Sequence, residues 1–281
     1  MKILITGAHG FTGRHFINSA RNAGFDSVIL KANLLDVTAL IEEINAVTFD
    51  YVVHLGAISF VGHSQISAFY NVNLLGTLNL LDALASLNEK PKSILLASSA
   101  NIYGNTELSP VTETQAPNPN NHYAASKFSM ELMARNYLSV LPIFFVRPFN
   151  YTGVGQANNF VIPKIISHFK DKAASIELGN IDVEREFNDV RFVCDAYLKL
   201  LSHAQLGDAY NICTGHSINL ASVIDTLTNL TGHAIQININ PLFVRSDEIK
   251  QLYGSPVKLN SCIGNLKSYN LLETLTWMLR N

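Results

Sequence analysis

The chain has few charged residues, few cysteines and no long apolar run. Charged residues make up 15% of its 281 residues against 48% hydrophobic residues, and the formal net charge is −2. No basic surface is expected, which argues against nucleic acid and anionic membranes as partners. The high apolar content excludes a mainly disordered chain and is sufficient for a sizeable buried core.

The three cysteines, Cys194, Cys213 and Cys262, are far apart and form no Cys-x-x-Cys pair. This pattern favours free thiols in a reducing cytoplasm over disulfides. The nine histidines show no metal-binding spacing, so we expect no metal. The apolar run at the N-terminus is too short for a signal peptide and no stretch is long enough to cross a bilayer, so we expect a cytoplasmic protein without a membrane partner.

Short apolar runs alternate with helical patterns over the first 150 residues. The alternation predicts an α/β fold of the Rossmann type, with a doubly wound parallel sheet and helices on both faces. Runs without apolar/polar alternation fit strands that are buried on both sides. The predicted strands are 2–6, 27–30, 51–54, 93–97 and 143–147, and the predicted helices are 11–22, 36–45, 73–87 and 123–140.

Beyond about residue 148 the pattern loosens, with prolines and glycines that indicate loops. A helix at 191–202, a strand at 209–213 and a helix at 220–230 follow. We predict a dinucleotide-binding Rossmann domain of residues 1–150 plus about 181–205. A smaller substrate-binding lobe is predicted to contain about 151–180 and 206–281, next to the carboxyl edge of the sheet, where open α/β sheets bind ligands.

A glycine-rich loop, Gly7-Ala-His-Gly10-Phe11-Thr12-Gly13, follows the first predicted strand. Gly7 permits a tight turn, Gly10 lets the backbone approach a pyrophosphate, and Gly13 lets the next helix close on the sheet. The N-terminus of that helix offers free N–H groups to phosphates. The loop predicts a dinucleotide site to which Phe11 and Thr12 also contribute.

The choice between NAD(H) and NADP(H) depends on the end of the second predicted strand. An acid there would bind the ribose 2′-hydroxyl of NAD(H), but Leu30 is followed by Lys31 and Ala32. Lys31 is either a partner for a 2′-phosphate or a solvated lysine, and we favour NADP(H) over NAD(H). Asp36 either contacts the adenine or caps its helix.

Tyr123 and Lys127 stand four residues apart at the start of a predicted helix, so their side chains share one face. A phenol with its ordinary pKa of about 10 is a poor acid–base group at neutral pH. A nearby ammonium is expected to lower the pKa of that phenol. Ser99 ends the fourth predicted strand, where its hydroxyl can hydrogen-bond a substrate oxygen. Together with the glycine loop, this pattern predicts a catalytic set of Ser99, Tyr123 and Lys127.

At these motifs the chain resembles the extended short-chain dehydrogenase/reductase family, in its nucleotide-sugar branch. The matching segments cover nearly the whole chain and include GAHGFTG (7–13), HLGA (54–57), Asn73 in NVNLLGTLNLL, SSANIYG (98–104), YAASK (123–127) and RPFNYTGVGQ (147–156). The resemblance implies that Leu55, Gly56, Ala57 and Asn73 lie at the cofactor site, beside Tyr123 and Lys127. Members usually have alanine where Gly56 stands.

The C-terminal half is similar to GDP-mannose 4,6-dehydratases and GDP-4-keto-6-deoxy-mannose reductases. The similarity lies in EREFNDVR (184–191), NPLFVRSDE (240–248) and LYGS (252–255), although that family usually has proline where Ser246 stands. It implies that Arg185 and Arg245, with Glu248 nearby, bind a nucleotide diphosphate. Guanidinium groups suit that role because they make bidentate contacts, and a surface or ion-pair role is the alternative.

Further residues are candidates for substrate binding. Ser98 and Asn101 flank Ser99, and His63 follows the third strand, where we expect the sugar pocket. Asn150 either contacts the sugar or diphosphate, or is a turn residue after Pro148.

The residue two positions after Ser99 distinguishes between dehydration and the other possible reactions. In dehydratases of this branch a glutamate stands there, whereas this chain has Asn101, and an amide cannot remove a carbon-bound proton. Glu113 or His63 could in principle replace the missing glutamate as the base, but their positions in the sequence give no reason to expect this.

We therefore expect NADPH-dependent reduction of the C4 keto group of a GDP-4-keto-6-deoxy-hexose, with a GDP-rhamnose-type product for lipopolysaccharide O-antigen. A 6-deoxytalose and a 6-deoxyheptose are the other possible products. The alternatives are an NAD-dependent nucleotide-sugar 4-epimerase, a dTDP-4-keto-6-deoxy-sugar reductase, and a non-catalytic dinucleotide-sensing regulator. Such regulators typically lack the tyrosine or lysine that this chain keeps.

Apolar residues occur all around the helix predicted at 123–140, among them Met130, Leu132, Met133 and Leu138. The family resemblance implies a homodimer formed through a four-helix bundle of this helix and the one at 73–87. The alternative is that the smaller lobe covers these residues.

Overall fold

The computed structural model describes residues 1–106, 109–243 and 251–281. The strands in this part of the chain have the following bounds: β1 (Lys2–Thr6), β2 (Asp26–Ile29), β3 (Tyr51–His54), β4 (Ser93–Ala97), β5 (Ile143–Pro148), β6 (Tyr151–Thr152), β7 (Ser175–Leu178), β8 (Glu184–Arg185), β9 (Asn188–Asp189), β10 (Ala209–Ile212), β11 (Ile218–Asn219), β12 (Gln236–Ile239) and β13 (Gln251–Leu252).

The large sheet has six strands in the order β10-β5-β4-β3-β1-β2, and all neighbouring pairs run parallel. This arrangement confirms the predicted doubly wound α/β fold. Strand β1 lies between β2 and β3, so the chain leaves β1 in one direction across the sheet and later returns to its other side. The carboxyl ends of β1 and β3 border the crevice that such a reversal creates, which is where open sheets of this class bind ligands.

Helices cover both faces of this sheet. The bounds are α1 (Phe11–Asn22), α2 (Val37–Ala46), α3 (Ile66–Ala68), α4 (Gly76–Ser86), α5 (His122–Ala134), α6 (Val161–Lys170), α7 (Val190–His203), α8 (Leu220–Thr231), α9 (Val257–Ile263) and α10 (Leu271–Arg280). One face packs against α1, α7 and α9, and the other against α2, α4 and α5. Alternate residues of each strand enter the two cores: Ile3 and Ile5 lie in one and Leu4 in the other.

Two predicted helices differ from the observed ones. The helix expected at 73–87 is preceded by α3 and by a π-helical segment, Phe69–Leu75, so Asn73 lies inside it. The helix expected at 123–140 ends at Ala134 and continues as a 3₁₀ turn, Arg135–Tyr137. An apolar stripe marks the buried face of such a segment, but it does not distinguish α from π or 3₁₀ hydrogen bonding.

Three smaller sheets, β11-β8-β13, β12-β7 and β6-β9, lie outside the large one. A separate apolar core joins α6, α8 and α10 with β7. The assignment of 206–281 to the smaller lobe is wrong for β10, which pairs with β5, and for α9, which packs against α7 and β10. The four residues of β10 are buried, so this strand completes the large sheet.

Apolar residues of α5 face two environments. Met130 is fully buried against the sheet, whereas Leu132 and Met133 are 44% and 42% exposed. The smaller lobe therefore does not cover them. No helix among the described residues is long and apolar enough to span a membrane. Within the same ranges, no group of three or more His, Cys, Asp or Glu side chains is placed to hold a metal ion.

Candidate active site

The glycine loop connects β1 to α1 and packs against the end of β3. Gly7 has a φ of +68°, and a Cβ there would lie 2.7 Å from the backbone N of Gly56. A Cβ at Gly13 would overlap the carbonyl oxygen of Gly7. Helix α1 begins after Gly10 with neither a side-chain cap nor an acidic residue in its first turn, so its N–H groups can bind an anion. The loop fits a dinucleotide pyrophosphate.

Tyr151 of β6 contacts this loop, although the sequence pattern did not indicate it as a site residue. Its hydroxyl lies 2.7 Å from Oγ1 of Thr12, and its ring stacks on Phe11 with a centroid distance of 6.0 Å. Burial raises the pKa of the Tyr151 phenol, so this group stays protonated at neutral pH. Its position in the RPFNYTG motif is the signal that could have revealed it.

The end of β2 holds one further unpredicted residue. The backbone N–H groups of Lys31 and Ala32 donate to the carboxylate of Glu43, which lies on α2. The Lys31 side chain is exposed. Asp36 caps α2 by accepting a hydrogen bond from Ala39 N at 3.1 Å, which was one of its two predicted roles.

The loop after β3 is held by Asn73. The amide of Asn73 is fully buried, accepts from Ile58 N, and donates to Ile58 O and to Oγ of Ser126 on α5. Leu55, Gly56 and Ala57 precede this anchor. Asn73 thus supports the predicted cofactor loop through the backbone that it binds.

His54 lies at the end of β3 in a buried chain of hydroxyl groups. Its two ring nitrogens lie 2.7 Å and 2.8 Å from the hydroxyls of Thr6 and Thr77. Burial lowers the pKa of His54 to about 3, with a further contribution from the charge of Lys127. The imidazole is therefore neutral at physiological pH, and it joins the end of β1 to α4.

Tyr123 and Lys127 both lie buried in the first turns of α5, which is capped by Asn121. The ammonium of Lys127 donates to Ala97 O at the carboxyl end of β4, at 2.6 Å. Burial lowers the pKa of Lys127 to about 8, and the charge of Glu131 opposes that change. At neutral pH the group remains mostly charged.

The expected lowering of the pKa of Tyr123 is not found. Burial raises the pKa of this phenol, and a side-chain hydrogen bond with Ser99 opposes the rise. Desolvation disfavours the phenolate, so Tyr123 is protonated at neutral pH.

Ser99 has a defined direction for its proton. Its Oγ accepts hydrogen bonds from the backbone N and from Nδ2 of Asn101, both at 3.1 Å. The Ser99 hydrogen is left to donate towards Tyr123 or a substrate oxygen. Asn101 therefore orients Ser99. The neighbouring Oγ of Ser98 is buried and has no hydrogen-bond partner among the described residues.

A buried ion pair fixes α5 to the sheet. Arg147 of β5 donates to both carboxylate oxygens of Glu131 on α5, at 3.0 Å and 2.7 Å. The two side chains are 6% and 2% exposed. Arg147 also donates to the Tyr103 hydroxyl, which donates to Asn211 on β10. Glu131 lies one turn beyond Lys127 on α5. No sequence motif indicated that this residue holds the helix on the sheet.

The predicted substrate residues lie on several elements. His63 packs edge-on against Phe69, whose ring contacts Tyr123. Asn150 is exposed, and its carbonyl accepts from Asn188 N at 2.8 Å, consistent with a turn position. Arg185 lies half-buried on β8. The two remaining candidates, Arg245 and Glu248, lie outside the described residues.

The fully buried Glu186 follows β8 and joins it to the segments that follow β10 and β13. Its carboxylate accepts N–H groups of Thr214, Gly215 and Gly254, as well as the Thr214 hydroxyl. Burial raises the pKa of Glu186, and these donors oppose the rise. This carboxylate holds the backbone next to Arg185.

The sequence model of the family described as GDP-mannose 4,6 dehydratase matches residues 19–278. The chain belongs to this family, within the nucleotide-sugar branch of the extended short-chain dehydrogenases/reductases. It is 37% identical over 273 residues to a GDP-6-deoxy-D-talose 4-dehydrogenase of Aggregatibacter actinomycetemcomitans, covering 94% of this chain and 92% of that protein. Identity to a GDP-6-deoxy-D-mannose reductase of Pseudomonas aeruginosa is 31% over 278 residues, covering 94% and 91%.

Among solved structures, RMD from Pseudomonas aeruginosa complexed with NADPH superposes with a TM-score of 0.91 at 30% identity, covering 99% of this chain and 97% of that one. The predicted family and fold class are thereby confirmed. The two curated relatives are oxidoreductases, and this member of the family is an oxidoreductase as well.

Proposed function

We propose that this oxidoreductase uses NADPH to reduce the C4 keto group of a GDP-4-keto-6-deoxy-hexose, giving a GDP-rhamnose-type sugar for cytoplasmic nucleotide-sugar biosynthesis, including O-antigen precursors. The observation that carries the proposal is that Ser99 is hydrogen-bonded to Tyr123 and Lys127 binds the carboxyl end of β4, at the same edge of the parallel sheet as the glycine loop after β1. The names of the two curated relatives support the GDP-sugar and the position of the reaction.

The surroundings of Ser99 favour reduction over dehydration. A 4,6-dehydration needs a base for a carbon-bound proton, and Asn101 instead donates to Ser99. The carboxylate of Glu113 accepts a hydrogen bond from Asn211 N at 2.8 Å, which does not favour this residue as the base. His63 packs against the ring of Phe69, and this contact does not favour the histidine as that base.

The residues of the site can then transfer one proton to the keto oxygen. The Ser99 hydroxyl donates to the keto oxygen and orients it, because its own lone pairs accept from Asn101. The protonated Tyr123 gives its proton to that oxygen as negative charge develops. The Lys127 ammonium is mostly charged at neutral pH and lies four residues further along α5, from where it would offset the negative charge left on the phenolate. When bound, NADPH supplies the hydride.

The remaining assignments are part of the proposal. Lys31 at the end of β2 favours NADP(H) over NAD(H), and the NADPH complex of RMD supports it. Arg185, with Arg245 and Glu248, would bind the diphosphate of the substrate. Exposed Leu132 and Met133 support a homodimer through α4 and α5.

The direct test follows the loss of NADPH absorbance with GDP-4-keto-6-deoxy-mannose, dTDP-4-keto-6-deoxy-glucose and UDP-glucose as separate substrates. We expect turnover with the GDP-linked ketone. Tyr123→Phe should lower kcat by about 10²–10⁴-fold while leaving the affinity for NADPH unchanged. Tyr137→Phe is the matched control, because this phenol binds Asp82 at the surface and should retain full activity.

Other outcomes would select the alternatives. Conversion of a nucleotide hexose to its C4 epimer without net cofactor consumption would indicate a 4-epimerase. Faster turnover of the dTDP-linked ketone would replace the GDP assignment. Cofactor binding without turnover of any substrate would indicate a dinucleotide-sensing regulator.

A further inference from the structure

The carboxylate of Glu43 lies at the carboxyl end of β2 although the residue belongs to α2. Its Oε1 accepts from Lys31 N at 2.9 Å and its Oε2 accepts from Ala32 N at 2.6 Å. These are the first two residues after Leu30, whose N–H still bonds to Ile5 O of β1. The carboxylate therefore sits where the second strand ends beside the glycine loop.

This position has a defined meaning in a dinucleotide-binding sheet. The adenine-side ribose lies over the end of the second strand, where an acid binds its 2′-hydroxyl and a cation accommodates a 2′-phosphate. Neither of the two residues after Leu30 is acidic. Glu43 brings an acid to the same place from a neighbouring helix, and exposed Lys31 brings a cation.

The two groups act in opposite directions on a 2′-phosphate. A hydroxyl can donate to the Glu43 carboxylate, which accepts only. A phosphate cannot, and the nearby N–H groups of Lys31 and Ala32 already donate to the carboxylate. Like charges at close range repel, which adds to the competition.

We propose that Glu43 is a specificity-determining residue that limits the preference for the 2′-phosphate provided by Lys31. The protein then accepts both NADH and NADPH, with only a modest preference for the phosphorylated form. The inference rests on the proposed function only in its use of a nicotinamide dinucleotide.

The test measures binding without turnover. Isothermal titration calorimetry gives the affinities of the full chain, without substrate, for ADP-ribose and for 2′-phospho-ADP-ribose. Glu43→Gln keeps one acceptor for the backbone N–H groups and removes the charge. We expect it to shift the affinity ratio towards the phosphorylated ligand by about tenfold, since one like charge close to the phosphate is lost.

Glu42→Gln is the matched control, because it removes the same charge from the preceding, exposed residue of α2. It should change the ratio by less than about twofold, since exposed charges are screened. Lys31→Gln should move the ratio in the opposite direction to Glu43→Gln. An unchanged ratio in Glu43→Gln, or an equal shift in Glu42→Gln, would overturn the proposal.

The unaltered protein provides a test that needs no variant. Its preference for 2′-phospho-ADP-ribose over ADP-ribose should be less than about tenfold, because carboxylate and ammonium oppose each other. A preference above about a hundredfold would contradict the role of Glu43. Binding of both ligands without reduction of any ketone would refute the proposed function and leave this inference intact.

Discussion

The large sheet and the smaller sheets are built in different ways. The strands next to the proposed catalytic residues, β4 and β5, have five and six residues, and all but one of these residues are buried. In the region of Arg185, by contrast, β8, β11 and β13 have two residues each and none of these residues is buried. The residues proposed to transfer the proton lie at the first region, and the proposed diphosphate ligand lies in the second.

The difference separates two demands on such an enzyme. Proton transfer needs fixed geometry, which the buried bonds of Lys127 and the Glu131–Arg147 pair supply. Substrate binding at the surface needs less rigid support. There the strands are short, and hydrogen bonds to the carboxylate of Glu186 hold the segments together in place of longer strand pairing. Changes in the first region should affect the whole protein, and changes in the second should affect mainly the substrate affinity.

The largest effect is expected from the ion pair that fixes α5. Glu131→Gln leaves the guanidinium of Arg147 buried without a counter-charge, which typically costs about 3–5 kcal/mol. Urea denaturation followed by circular dichroism measures the loss. The affinity for cofactor and the kcat should fall together, because Lys127 lies one turn before the altered residue on α5.

Two variants make this prediction specific. The exposed Glu89 carries the same side chain, and Glu89→Gln should change stability by less than about 0.5 kcal/mol. The double variant Glu131→Leu/Arg147→Met removes both charges and should be more stable than Glu131→Gln alone. A single variant as stable as the unaltered protein would show that the pair does not anchor α5.

Much of the large sheet could be predicted because its signals are local. The bounds of β1, β4 and α1 agree with the predicted ones, since apolar runs and the glycine loop mark them. The place of β10 could not be predicted in this way. Its partner, β5, is more than sixty residues away in the chain, and no local pattern states which strands pair.

The same division applies to the site. Tyr123 and Lys127 were found because their spacing places them on one helical face. Glu43 and Glu131 look like ordinary charged residues of amphipathic helices, and only the packing of the elements brings them to Lys31 and Arg147. The direction in which the pKa of Tyr123 shifts also depends on burial, which the spacing of two residues does not show.

The pH dependence of stability gives a second, smaller test of the buried region. In the folded protein the pKa of Lys127 is about 8, against an ordinary value of 10.5. Between these two values the unfolded chain binds more protons than the folded one, so a rising pH stabilises the fold. The gain is about 3 kcal/mol at most, and it is absent below pH 8, where both states hold the proton.

Lys127→Met isolates this contribution because it removes the titrating group and keeps most of the apolar stem. The stability of the unaltered protein minus that of the variant should increase from about pH 8 to about pH 10.5 in urea denaturation series. A difference that stays constant over this range would mean that burial does not depress the pKa of the ammonium.

The smallest effect on the fold, and the sharpest contrast with Glu131, is expected at Glu186. Glu186→Gln places an amide N–H among donors of Thr214, Gly215 and Gly254, which should cost about 1–3 kcal/mol. Because the adjacent Arg185 is the proposed diphosphate ligand, KM for the nucleotide sugar should rise while kcat and cofactor affinity stay close to normal.

Glu184→Gln serves as the control for that change. Glu184 lies on β8, on the other side of Arg185 from Glu186, and accepts from Ser217 and Gln251 at the surface, so its loss should leave KM unchanged. Steady-state kinetics of both variants with the GDP-linked ketone decide the matter. If Glu186→Gln lowers kcat as strongly as Glu131→Gln does, the smaller sheets hold the catalytic geometry as well. The contrast between the two regions would then be wrong.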